Sequence, residues 1–198
     1  MSIEEEFATI DALLASNAET RGVDAFALAL LKAERQMWKL VTYLCSNLGR
    51  SAPTMWKPCN ALAARRVYFR DFLSARDKLY RRPMRDLLGP DHDRLRAVLD
   101  ETIEHRNKIF HWQLTTKHLS RDELIAYVAQ IRCWCRALAA SAQEEVGYDG
   151  FGRNSFRKSA DAGLASRLLV AMTSVQDYER FLAEMERRPN RLKRMLAK

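Results

Sequence analysis

Three observations predict an all-α fold for this 198-residue chain. Apolar residues recur three and four apart over long stretches. Glycine (7) and proline (5) are scarce while Ala, Leu, Arg and Glu abound, a balance that favours helix over sheet. No segment alternates apolar and polar residues as a half-buried strand does. The expectation is a bundle of five to six helices with short loops, forming one domain over 1–198. At this length one well-buried core is ample and two are cramped.

The first helix is expected over 2–16. Ile3, Phe7, Ile10, Leu13 and Leu14 recur at helical spacing, and Ser2 with Glu5 makes a capping box. Asn17 to Gly22 is a break. A long helix follows, about 23–48, with Phe26, Leu30, Leu31, Trp38, Val41, Leu44 and Leu48 as its apolar positions and Gly49 as its C-cap. A loop holding Pro53 and Pro58 leads to Asn60, which caps a helix of about 60–82. That helix is dense in base, with Arg65, Arg66, Arg70, Arg76, Lys78, Arg81 and Arg82 opposite Leu62, Val67, Phe69, Phe72, Leu73 and Leu79.

Pro83 and Gly89-Pro90 mark the next connection. Asp91 caps a helix of about 92–112, whose apolar positions are Leu95, Val98, Leu99, Ile103, Ile109 and Phe110. After a turn at 113–119, Ser120 and Glu123 form a second capping box and open a helix of about 121–145. Gly147 to Gly152 is glycine-rich, but it lacks the G-K-[ST] ending and follows no strand, so it is no phosphate loop. A last helix of about 160–187 precedes a basic tail with Arg191, Lys193, Arg194 and Lys198.

The formal net charge of +8 points to a polyanionic partner, nucleic acid first. The plainer reading is a soluble protein rich in arginine. Cys45, Cys59, Cys133 and Cys135 form no C-x-x-C pair and no zinc-spaced cluster, so they read as free thiols in a reducing cytoplasm. Cys133 and Cys135, two apart, are expected on nearly opposite sides of their helix. The acidic start, Met1 to Glu6, lacks a signal-peptide pattern, and no apolar run approaches the ~20 residues of a membrane span.

Chemistry concentrates in Arg106-Asn107-Lys108-Ile109-Phe110-His111. Histidine moves a proton near neutral pH. Arginine holds a phosphate through paired hydrogen bonds and stabilises charge building up on it. Asn107 and His111, four apart, share a helix face. Arg106 sits at its edge, while Ile103, Ile109 and Phe110 are expected to face the core. The plainer reading is an exposed polar helix face, since so short a string recurs by chance.

Arg106, Asn107 and His111, near the end of a helix in a basic helical chain, resemble the motif of the HEPN superfamily: an arginine, a polar residue, a few variable positions and a histidine. The resemblance covers the motif and the helical layout over about 20–145. The helix and basic tail of about 160–198 stand outside it. It implies a HEPN-like RNA endonuclease that works without metal or other cofactor. Many such proteins are toxins or abortive-infection effectors against phage, and many pair two protomers to build one cleft. The implied partners are RNA, a second copy of the chain and, for the toxins, a cognate antitoxin. Other members have lost activity and serve as binding partners.

Two departures stand out. Trp112 follows the histidine where the family commonly has a small residue. It would stack on a base or block the cleft. Gln113 stands where one toxin subset carries the tyrosine at which it is silenced.

The mechanism these groups suggest starts with attack of the ribose 2′-hydroxyl on the adjacent phosphorus. His111 is the general base or acid, Arg106 neutralises the phosphorane oxygens, and Asn107 fixes the histidine or the phosphate. The products are a 2′,3′-cyclic phosphate and a 5′-hydroxyl, and DNA survives. Lys108, Trp112, Arg65, Arg66 and Arg70 are the expected RNA-binding residues. His105 reads as support or surface, His92 as exposed, and His118 as a group in the next turn able to approach the cleft. Glu34 and Lys39 read as solvated positions more than cleft-lining ones. Trp38, Trp56, Trp112 and Trp134 read as core or interface more than as base-stacking platforms. The competing readings are a silent helical module that binds RNA or protein, and a helical bundle in which the motif is accidental.

Overall fold

The computed structural model describes residues 2–51, 73, 74, 76, 77, 82–110, 119–152, 174, 176, 177, 179, 180, 183 and 184, with side chains beyond Leu44 of the second helix left aside. Among these residues the structure is helical and holds no strand. The elements are α1 (Ile3–Ala15), α2 (Arg21–Ser51), the short α3 (Met84–Leu88), a 3-10 turn (Gly89–Asp91), α4 (His92–Phe110) and α5 (Arg121–Val146). No helix among them is long and apolar enough to cross a membrane. The helices expected over about 60–82 and 160–187 lie almost wholly outside the described residues.

The chain divides into two compact units. One holds residues 1–36 and 85–153, the other 37–84 and 154–198. The division therefore falls inside α2, after Gln36.

In the first unit both capping boxes form. Ser2 Oγ accepts from the Glu5 amide, Ser120 Oγ from the Glu123 amide, and each glutamate side chain accepts from the cap amide in return. These boxes satisfy helix-end N–H groups that would otherwise lack partners. Gly147 closes α5 at φ 69°, a left-handed conformation that glycine adopts without a Cβ clash.

The core of this unit gathers Phe7 and Ile10 of α1, Phe26 and Leu30 of α2, Leu95 and Leu99 of α4, and Val128, Ile131, Trp134 and Leu138 of α5. Tyr148 and Phe151, from the glycine-rich segment, are buried as well. Gln36, fully buried, donates to the carbonyls of Cys135 at 2.9 Å and Asp149 at 3.0 Å, tying α2 to α5 and to the loop after it. Gly22 meets α5 so closely that a Cβ there would lie 2.9 Å from Arg121 Cγ.

Polar groups hold α1 in place. Glu6, buried, accepts from Lys32 Nζ at 2.8 Å and Arg35 Nη1 at 3.2 Å. Arg132 of α5 pairs with Asp11 and lies 4.8 Å over the Phe7 ring. In the second unit the buried Arg76 donates to the Arg82 carbonyl at 2.6 Å and to Asp77 at 3.1 Å, while Asp77 accepts the Met84 amide at 2.9 Å.

Several expectations are corrected. The second helix does not stop at Gly49 but continues to Ser51. Leu31 and Trp38, seven apart, are not on its buried side: they are 52% and 48% exposed. The buried stripe of α2 runs through Phe26, Ala29, Leu30, Ala33, Met37 and Leu40, and at ~100° per residue both positions fall roughly 130° around from it. Phe110 is 58% exposed, because burial on α4 ends at His105, before the last turn. Lys39 is buried, not solvated. Trp134 is core, as expected, whereas Trp56 and Trp112 lie outside the described residues.

Candidate functional site

The last described turns of α4 carry Arg106, Asn107 and Lys108. Arg106 is held on three sides. Its Nη2 donates to Glu34 Oε1 of α2 at 2.9 Å, its Nη1 donates to Asn107 Oδ1 at 3.1 Å, and its guanidinium lies 6.0 Å over the Phe110 ring. Two of its five N–H donors are named in these bonds, which leaves others for an anion. The ion pair is partly open to solvent, with Arg106 28% and Glu34 29% exposed at the side chain. Burial nevertheless pushes the Glu34 carboxyl above the usual carboxylate range, and the charge and hydrogen bond of Arg106 only partly offset it.

One residue inward sits His105, 5% exposed. Its Nε2 is 3.5 Å from Glu101 Oε1, one turn earlier on α4, too long and misaligned for a hydrogen bond. Its ring tilts against Tyr127 of α5 at 5.6 Å, and Tyr127 in turn packs on Phe26 at 6.1 Å. The Tyr127 phenol is pushed up to about 12, first by burial and then by its hydrogen bond to the Glu101 carboxylate. His105 is therefore an interior residue that packs α4 against Tyr127 of α5.

His92 is not an open surface histidine. Its side chain is 15% exposed and its Nδ1 lies 2.8 Å from Asp93 Oδ1. Both oxygens of Asp93 also accept from Arg85 Nη2, at 3.0 and 3.1 Å. The His92 hydrogen bond, with help from Arg85, holds the Asp93 carboxyl below its ordinary value. This cluster belongs to the start of α4, opposite the end that carries the motif.

Of the residues singled out from sequence, Arg106, Asn107 and Lys108 stand on one helix end, with Arg106 and Asn107 in contact. His111, Trp112, His118, Arg65, Arg66 and Arg70 lie outside the described residues. Glu34, read as solvated, is instead the direct partner of Arg106. Its signal in the sequence is an acid set among apolar residues of a long helix.

Among the described residues no three His, Cys, Asp or Glu side chains converge as a metal site. A groove of about 320 Å³ between α1 and α5 is lined by residues such as Leu14, Ile125, Val128 and Ala129, and no motif residue lines it. No protein-family model matches this chain, and comparison with curated proteins and with solved structures finds no similar protein.

Proposed function

We propose that this chain is a HEPN-like endoribonuclease that cleaves RNA without metal, as a homodimer acting in the cytoplasm. Its biological setting is a toxin or phage-defence effector, with a cognate antitoxin as a further partner. The observation that carries this reading is the fixation of Arg106. Its guanidinium is anchored by Glu34 and Asn107 in the last described turns of α4, five residues before His111 in the sequence, and further N–H donors of the guanidinium are available to a phosphate. Prior fixation of a cation where charge develops is what electrostatic stabilisation of a transition state requires.

In this reading the 2′-hydroxyl oxygen forms a bond to the adjacent phosphorus and gives its proton to the His111 of one protomer. The phosphorus–O5′ bond breaks, and the leaving oxygen takes a proton from the His111 of the other protomer. Arg106 bears the extra charge on the phosphorane oxygens. Lys108, Trp112 and the arginines Arg65, Arg66 and Arg70 hold the RNA strand.

Cleavage of RNA in EDTA by wild-type protein and by His111→Ala tests it. Wild-type cutting that yields cyclic-phosphate ends, and is lost in the variant, is the expected result. Equal cutting by both proteins defeats the assignment. A second reading, a silent RNA- or protein-binding module of HEPN-like shape, gains from two features: Trp112 in place of a small residue, and the neutralisation of Arg106 by Glu34. Folded protein that binds RNA but cuts none selects it.

A further inference from the structure

A phosphate approaching Arg106 meets a cation that already has an anion on it. Glu34 Oε1 takes Nη2 at 2.9 Å, and Asn107 Oδ1 takes Nη1 at 3.1 Å. Arginine holds phosphate best through two parallel N–H donors, and both terminal nitrogens here carry an internal acceptor. Asn107 is neutral and exposed and yields its bond at little electrostatic cost. Glu34 carries full charge when ionised, and it reaches across from another helix.

Three and four residues from Glu34 on its own helix stand Leu30, Leu31, Met37 and Trp38, none charged. From α4, the charged group that acts on it among the described residues is Arg106. Loss of charge on Glu34 would change the net charge of this ion pair from zero to plus one.

We propose that Glu34 is an internal counter-ion that competes with an incoming phosphate for Arg106, so that capture of the anion is coupled to uptake of a proton by Glu34. This rests on Arg106 as the phosphate-holding group. Glu34 is a positioning residue in this scheme: it acts through Arg106 and touches no reacting atom. Only molecules with a neutral Glu34 present a free cation, and apparent affinity scales with that fraction. Above the pKa of Glu34 each further pH unit weakens anion binding by up to about tenfold. By reciprocity, a bound anion raises the pKa of Glu34. The upward push that burial gives this carboxyl brings the switch nearer to neutral pH.

Two probes of constant charge over about pH 5–8 decide the matter. One is sulfate. The other is a single-stranded 2′-O-methyl oligonucleotide, which has no free 2′-hydroxyl and is not cut. Binding is followed against pH for wild type, Glu34→Gln and Arg106→Ala. Expected is wild-type binding that strengthens as pH falls, Glu34→Gln binding that is at least several-fold tighter near pH 7 and has a flatter profile, and Arg106→Ala binding that is weak throughout. Histidines also titrate in this range, so the difference in slope between wild type and Glu34→Gln is the reading that counts.

Equal affinity and equal slope in wild type and Glu34→Gln overturn the proposal. Sulfate that follows the expected pattern while the oligonucleotide binds nowhere supports the counter-ion and removes the RNA reading. An oligonucleotide that binds through Arg106 without regard to Glu34 does the reverse, and absence of both removes both. Should Glu34→Gln fail to fold, the carboxyl carbon-13 shift of Glu34 in wild type serves instead. Its midpoint must rise when sulfate saturates the protein, and an unchanged midpoint overturns the proposal.

Discussion

The Glu6 carboxylate on α1, almost fully buried, takes the ammonium of Lys32 on α2 at 2.8 Å. Arg35, one turn further along α2, reaches the same oxygen at 3.2 Å. An acid on the inner side of α1 is thus matched by two cations rather than by solvent. A buried charge is tolerated when it is paired and hydrogen-bonded.

Breaking that pair from the acid side destabilises the first unit. Loss of one partner of a fully buried pair costs about 3–5 kcal/mol, and a cation that still reaches water reduces this to about 2 kcal/mol for Glu6→Ala. Lys32 and Arg35 do reach water, at 17% and 48% exposure. Urea unfolding of the variant measures it, and a midpoint equal to wild type counts against a structural role for Glu6.

Gln36 is the second test of the core. Replacement by Leu keeps the volume but removes both amide bonds; Cys135 lies inside α5 and keeps its helical N–H partner, so the carbonyl left exposed to loss is that of Asp149. With roughly 1–3 kcal/mol for a buried polar group that loses its partner, Gln36→Leu is expected to lose about 1–3 kcal/mol. The loss should be the same at pH 5 and at pH 8 on a scale of about 0.5 kcal/mol, because no ionisable group is changed. Unfolding curves at the two pH values decide this.

Tyr127 is expected to ionise late. Its folded pKa, pushed up to about 12, exceeds that of a free phenol near 10. A raised pKa means that the neutral form is favoured by folding. Its contribution is fully present below about pH 10 and is lost as pH rises through about 12. In an ultraviolet titration of tyrosinate, Tyr127→Phe should remove a late-ionising phenol, and a variant that removes an ordinary one contradicts the burial and the Glu101 bond.

The thiols of α5 should separate by reactivity. Cys133 is exposed and Cys135 buried, and burial pushes the Cys135 thiol up, away from the reactive thiolate. Brief iodoacetamide treatment of native protein, mapped by mass spectrometry, is expected to label Cys133 and spare Cys135 until denaturant is added. Equal labelling would place α5 in a different rotation.

Arg106→Ala should reduce RNA cleavage by about 10²–10³-fold with the fold intact, the usual cost of removing one preorganised donor to developing charge. Arg106→Lys should recover little of it, since an ammonium lacks the planar fork that holds a phosphate through two parallel donors. Single-turnover rates on one labelled RNA provide the comparison. A lysine variant as fast as wild type points to a simple charge requirement.

Much of the helical layout was legible because it is written locally. Both capping boxes, at Ser2 with Glu5 and Ser120 with Glu123, span three residues and form as their spacing requires. The opposed exposures of Cys133 and Cys135 follow from 100° of rotation per residue. Gly49 misled because a glycine ends a helix only where the chain must turn, and the backbone of α2 continues past it to Ser51. Leu31 and Trp38 misled because apolarity at helical spacing identifies a stripe only when the whole set is weighed. Here the buried set lies on the other side.

By itself, the sequence determined the helical class of the described residues, the capped starts of α1 and α5 and the placement of Arg106 and Asn107 on one turn. Those depend on hydrogen bonds and rotations within a few residues. Only tertiary structure decided which distant side chains meet: Glu34 with Arg106 across 72 residues, Glu6 with Lys32 across 26, and Gln36 with Asp149 across 113. These pairs are set by which helix faces bury their apolar stripes together. A polar residue at the margin of a stripe takes the partner that packing brings to it, and neither its type nor its spacing names that partner in advance.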